Sequence, residues 1–185
     1  KYSQGPRAFS EDELLALLDV AEKWRLLYLL LALTGLRHRE AKELCWGDVH
    51  FGEKPMLRLR AEATKSARAD TIPLNSTLAR ELEAHRPAYW KPEMRVFRKG
   101  VALNSTLKRD LEKARIPLID EYGRPVGFHT FRRTFVTLGQ NLGVAPRVVQ
   151  QLARHRKSEL TDWTYTDTTK LDTHGAVERM GAFLN

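Results

Sequence analysis

The chain has 185 residues, 42% of them hydrophobic, enough to bury a core as one domain or a compact pair of lobes. Lys and Arg number 31 against 23 Asp and Glu, a net charge of +8 with a pI near 9.8, and that balance favours a polyanionic partner such as nucleic acid. The single cysteine, Cys45, excludes an internal disulfide and any multi-cysteine zinc site, and the longest apolar run, Leu26 to Leu33, is too short to cross a bilayer.

Residues 1–9 are polar with a Gly5-Pro6 break and read as a linker. The chain opens without methionine, so it is expected to be a fragment whose linker leads from a missing N-terminal DNA-binding domain. Ser10 and Glu13 form a capping box, with Phe9 and Leu14 as the accompanying staple, ahead of a helix from about Glu11 to Ala21. Trp24 to Leu33 predicts a helix buried on most sides, stopped at Thr34-Gly35. Arg37 and Glu40 then stand one turn apart at the start of a short helix ending near Leu44. Taken alone, that pair reads as a local ion pair worth a few tenths of a kcal/mol.

From Val49 to Leu74 the pattern turns to strands: Leu57 and Leu59 alternate with Arg58 and Arg60, and Thr71 to Leu74 returns with Pro73 at an edge or end. Between them Ala63-Thr64-Lys65-Ser66 sits at a hairpin, with Lys54 and Arg68 as rival cations nearby. Asn75 caps a helix through about Ala84, a proline-containing loop leads to Val96-Phe97, and Asn104 is expected to cap a helix carrying Leu107, Leu111 and Ala114. After a loop from Ile116 to Gly127, a helix from about Thr130 puts His129 and Arg132 on one face, where they can approach one anion together. A further helix begins near Pro146, turns Val148, Val149 and Leu152 inward, and ends at His155; Tyr165 follows ten residues later. The end of the chain is modestly amphipathic, with Ala176, Val177, Met180, Phe183 and Leu184 on a face that packs on its own domain or on a partner.

These motifs, in this order, resemble the tyrosine recombinase (phage integrase) family. Its first arginine box reads T-G-L-R-x-x-E, matched by Thr34-Gly35-Leu36-Arg37 with Glu40. Its essential lysine lies on a hairpin, often within T-K-[ST], as Lys65 does, and its C-terminal half carries H-x-x-R, a helix-ending histidine and then a tyrosine. The resemblance implies an α+β fold, mainly helical with a small antiparallel sheet, with a catalytic domain over about 10–170 and a C-terminal tail over 171–185. It assigns Arg37 and Arg132 as phosphate clamps, with Glu40 as accessory. Lys65 becomes the general acid, His129 the assistant of proton transfer, His155 a donor to the phosphate and Tyr165 the nucleophile. No cofactor or metal is implied. The implied partners are double-stranded DNA bearing a specific recombination site and further recombinase subunits, four on DNA, with no membrane. A prokaryotic, phage or mobile-element origin and a cytoplasmic, nucleoid-associated setting follow from the same resemblance. Two details depart from the commonest pattern: Arg154 precedes His155 where glycine is frequent, and the interval to Tyr165 is ten rather than nine.

Two other readings stay open at this level: a type IB-like topoisomerase, which nicks and reseals without exchange, and a non-catalytic DNA-binding regulator. A metal-dependent nuclease finds little support, since no H-E-x-x-H pattern is present.

Overall fold

The computed structural model describes residues 7–63, 69–97, 101–154 and 173–184. Ser10 starts the first helix as the capping box requires: its hydroxyl accepts from the Glu13 amide at 3.1 Å, and the Glu13 carboxylate accepts from the Ser10 amide at 3.0 Å. Helix α1 (Glu11–Val20) buries Leu14, Leu17 and Leu18. Phe9 packs edge-on against Phe131, ring centres 5.1 Å apart, tying the start of the described chain to a later helix.

Helix α2 (Arg25–Thr34) is buried from Leu26 to Thr34 and forms the centre of the molecule. Its polar exceptions are satisfied: Tyr28 donates to Asp110 at 2.8 Å, and the Thr34 hydroxyl donates back to the Leu30 carbonyl. Burial, then the Asp110 carboxylate, push the Tyr28 phenol far above its ordinary pKa and keep it a neutral donor. Gly35 ends α2 in the left-handed region at φ 62, its amide bonded to the Leu31 carbonyl, and a Cβ there would lie 2.8 Å from the Phe135 ring. Helix α3 (His38–Glu43) follows directly.

Three short strands make the expected antiparallel sheet in sequence order: β1 (Val49–His50), β2 (Met56–Leu59) and β3 (Asp70–Pro73). Leu57 pairs with Val49 on one side and Ile72 on the other, so the buried Leu57 and Leu59 face the core while Arg58 is exposed. The 3-10 turn Ala61–Ala63 leaves β2 alongside α3. Helix α4 (Ser76–His85) is capped by Asn75, which accepts from Leu78 at 2.8 Å, as expected.

Helix α5 (Asn104–Lys113) corrects the sequence reading at its start. Asn104 is the first helical residue, and Leu103 takes the cap position with no side-chain bond. Helix α6 (Phe128–Asn141) also begins two residues earlier than expected, because Thr130 accepts from the Gly127 amide at 3.1 Å and closes the first turn there. Helix α7 (Pro146–Leu152) starts with proline at its first position. Helix α8 (Thr173–Gly181) sends Ala176, Val177 and Met180 into a core shared with Phe135 of α6 and Val148, Val149 and Leu152 of α7. Glu178 of α8 accepts from the Ser76 amide at 2.6 Å and from its hydroxyl at 2.9 Å, bracing the first turn of α4. Among the described residues, no helix is long and apolar enough to cross a membrane.

Candidate active site

Three separate parts of the chain meet around the buried carboxylate of Glu40. Arg37 caps α3, and Glu40, three residues on, accepts from the Arg37 amide and from its guanidinium, each at 2.8 Å. One carboxylate therefore caps the helix and orients the arginine side chain. Arg154 reaches the same group from the end of α7, donating to Oε2 at 2.7 Å with both side chains almost fully buried. Burial alone would raise the Glu40 pKa; the hydrogen bonds and charges of Arg154 and Arg37 prevail and hold it below the ordinary glutamate value.

Arg132 enters from α6 and is 3% exposed. It donates to the Gly35 carbonyl at 2.5 Å and to the Ala153 carbonyl, so the end of α2 and the end of α7 hold its guanidinium plane. The left-handed turn at Gly35 is thus part of the site, since it aims that carbonyl at Arg132. Burial, reinforced by the charges of Arg37 and Arg154 and opposed by Glu40, pushes Arg132 down to about 10. It still carries its charge at neutral pH. Three guanidiniums against one carboxylate leave an excess of positive charge in a largely desolvated place, where an anion would be held strongly.

His129 stands on the exposed side of α6. Loss of part of its hydration, then the charges of Arg133, Arg132 and Arg37, push its imidazole below the ordinary histidine value. That shift favours the neutral imidazole, the form able to take a proton. His38, beside Arg37, stacks on Phe128 with ring centres 3.8 Å apart and donates from Nε2 to the Ala102 carbonyl at 2.8 Å. That stack fixes the start of α3 against the start of α6, next to His129.

Of the residues singled out in the sequence, Arg37, Glu40, His129 and Arg132 are brought together. Lys65, His155 and Tyr165 lie outside the described residues. The connection from β2 to β3, which contains Lys65, departs beside α3, whereas Lys54 sits on the β1–β2 turn at the opposite end of β2. Arg154 stands in the sequence as a mere departure from the usual glycine; the run Arg154-His155 of two basic residues is its signal. Among the described residues, no cluster of His, Cys, Asp and Glu has the makings of a metal site.

Residues 7–171 match the Phage integrase family. Tyrosine recombinase XerA of Pyrococcus horikoshii is 31% identical over 186 residues, covering 94% of this chain and 61% of that protein. The integrase from mycobacterium phage Brujita superimposes with a TM-score of 0.69 at 23% identity, covering 97% of this chain and 60% of that one. A lambda integrase dimer bound to a COC' core site gives 0.64 at 19% identity, covering 92% and 51%. The chain thus spans about three-fifths of the curated relative it matches.

Proposed function

Because the chain belongs to the phage integrase family, we propose that it is the catalytic portion of a site-specific DNA recombinase or integrase, cutting and rejoining DNA through a 3′-phosphotyrosyl intermediate. The observation that carries this reading is the convergence of Arg37, oriented by Glu40, and Arg132, held by the Gly35 and Ala153 carbonyls, with His129 on the same helix as Arg132, an arrangement suited to a phosphodiester.

Attack on a phosphodiester is slow because negative charge gathers on the non-bridging oxygens as bonds rearrange. Arg37 and Arg132 answer this with planar, permanently charged forks aimed from fixed positions. Tyr165 supplies the nucleophile: its phenolate oxygen forms a bond to phosphorus as the bond to the 5′ oxygen breaks. His129 takes the phenol proton, and Lys65 donates one to the departing 5′ oxygen. His155 donates to the phosphate. The ester conserves the energy of the broken bond, so a 5′ hydroxyl of another strand reverses the step and completes exchange.

The partner in this reading is double-stranded DNA with a recombination site, by analogy with the lambda integrase dimer, which is bound to a COC' core site. Further subunits assemble on it as a tetramer, and the protein works where the DNA is, at the nucleoid of a prokaryotic host.

The test uses nicked duplexes with randomised sequence around the nick, so that the expelled strand diffuses away and covalent adducts accumulate. Adducts recovered without metal or ATP, mapping to Tyr165 and lost in Tyr165→Phe, are the expected result. Strand exchange between two recovered sites separates recombination from nicking and resealing. Retention of all DNA binding with no adduct from any sequence overturns the reading.

A further inference from the structure

Arg154 occupies the position just past the end of α7, with its backbone in the left-handed region at φ 55. Glycine is the residue that this position favours, since any Cβ meets steric opposition there. An arginine in such a conformation, with its side chain 8% exposed and directed onto a carboxylate 114 residues away, is held by something other than local preference. The charged groups that face Glu40 are Arg37 on its own helix, Arg132 from α6 and Arg154 from the end of α7. With Arg37 alone as its partner, Glu40 would cancel the charge that Arg37 offers a phosphate. Arg154 supplies a second countercharge, and its neighbour Ala153 is fixed by Arg132.

Building on the recombinase reading, we propose that Arg154 is a positioning residue of the phosphate site. By sharing the Glu40 carboxylate with Arg37, it locks the end of α7 to the start of α3 and leaves Arg37 with charge to spend on the substrate. It also fixes the backbone from which His155 follows.

Two measurements on the chain test this. In the first, the Glu40 carboxyl is titrated by carbon-detected NMR in the wild type, R154Q and R154K. R154Q is expected to move the midpoint upward by about one pH unit, and R154K to leave it near the wild-type value. An unmoved midpoint in R154Q overturns the proposal. In the second, adduct formation on nicked duplexes is timed for R154Q in the Glu40 and E40Q backgrounds. The expected loss is about tenfold with Glu40 present and less than about twofold in E40Q, because the two side chains act as one unit.

R154G separates position from folding. Its backbone is relaxed, so it is expected to melt no lower than R154Q while forming adduct about tenfold slower than the wild type. Equal losses for R154Q in both backgrounds, or an R154G as fast as the wild type, sink the positioning role. If the wild type itself gives no adduct, the recombinase reading falls and this role with it, while the carboxyl titration still decides whether Arg154 governs Glu40.

Discussion

At the scale of single residues, the site depends on arginine chemistry that lysine cannot reproduce. Arg132 is buried among like charges yet stays charged, because a guanidinium starts from so high a pKa that a fall to about 10 costs it nothing at neutral pH. A lysine there starts near 10.4 and meets the same burial and the same neighbours. Arg132→Lys is therefore expected to slow adduct formation by on the order of a hundredfold at pH 7.5, in line with loss of one fixed oxyanion donor. A single-turnover time course checks this, and circular dichroism confirms that the fold survives.

His129 makes a prediction about stability rather than rate. Its pKa in the folded chain lies below the unfolded value, so between the two the unfolded chain binds more protons and stability rises with pH. Acidification through the ordinary histidine range, about 6.5, should therefore destabilise the fold. His38 is depressed in the same direction, chiefly by burial, and adds to the effect. Glu40 acts in a lower window: its depressed carboxyl stabilises the fold above the ordinary glutamate range and loses that contribution as pH falls through its own lower pKa. Melting temperatures taken from pH 7.5 to 5.5 are expected to fall for the wild type and to fall less for His129→Gln. An identical slope in both would remove His129 from this account.

At the scale of elements, the end of α2 carries more than its length suggests. Gly35 terminates the helix, admits the Phe135 ring where a Cβ would stand, and turns its carbonyl onto Arg132. Gly35→Ala is expected to cost about 1–2 kcal/mol for the left-handed backbone alone, with a further penalty because Phe135 must move. Denaturant unfolding measures the sum. The double change with Phe135→Leu should recover the steric part and leave the backbone part.

Gly35 was legible in the sequence as a helix stop, and so were the Ser10 and Asn75 caps, because each of those signals is local. The hairpin of β2 and β3 was legible from alternation at Leu57 and Leu59 and the return at Thr71 to Leu74, whereas the two-residue β1 is too short to leave a pattern of its own. The start of α5 was not, since Asn104 looks like a cap until the backbone puts Leu103 in that place. Arg154 was hidden for a deeper reason. Its meaning depends on a left-handed φ and on a carboxylate far away in the chain, neither of which a spacing pattern encodes.

At the scale of the whole molecule, the sequence left open what α8 packs against. Among the described residues, Ala176, Val177 and Met180 complete the smaller of two buried clusters, closing over Phe135, Val149 and Leu152, and a Cβ at Gly181 would collide with the Asn75 side chain. The same helix braces the start of α4 through Glu178. Packing of this kind within one chain has a consequence that docking between chains does not share. Met180→Ala should lower unfolding free energy by about 2–5 kcal/mol, the range for emptying a buried site, and the melting temperature should not depend on protein concentration. Docking in trans would instead raise the melting temperature with concentration, because association then contributes to stability. Thermal unfolding of the wild type and Met180→Ala over a hundredfold range of concentration, read beside sedimentation, distinguishes the two. A concentration-independent transition that drops in Met180→Ala places α8 within its own chain, so that any exchange of this helix between subunits on DNA must first open that buried cluster.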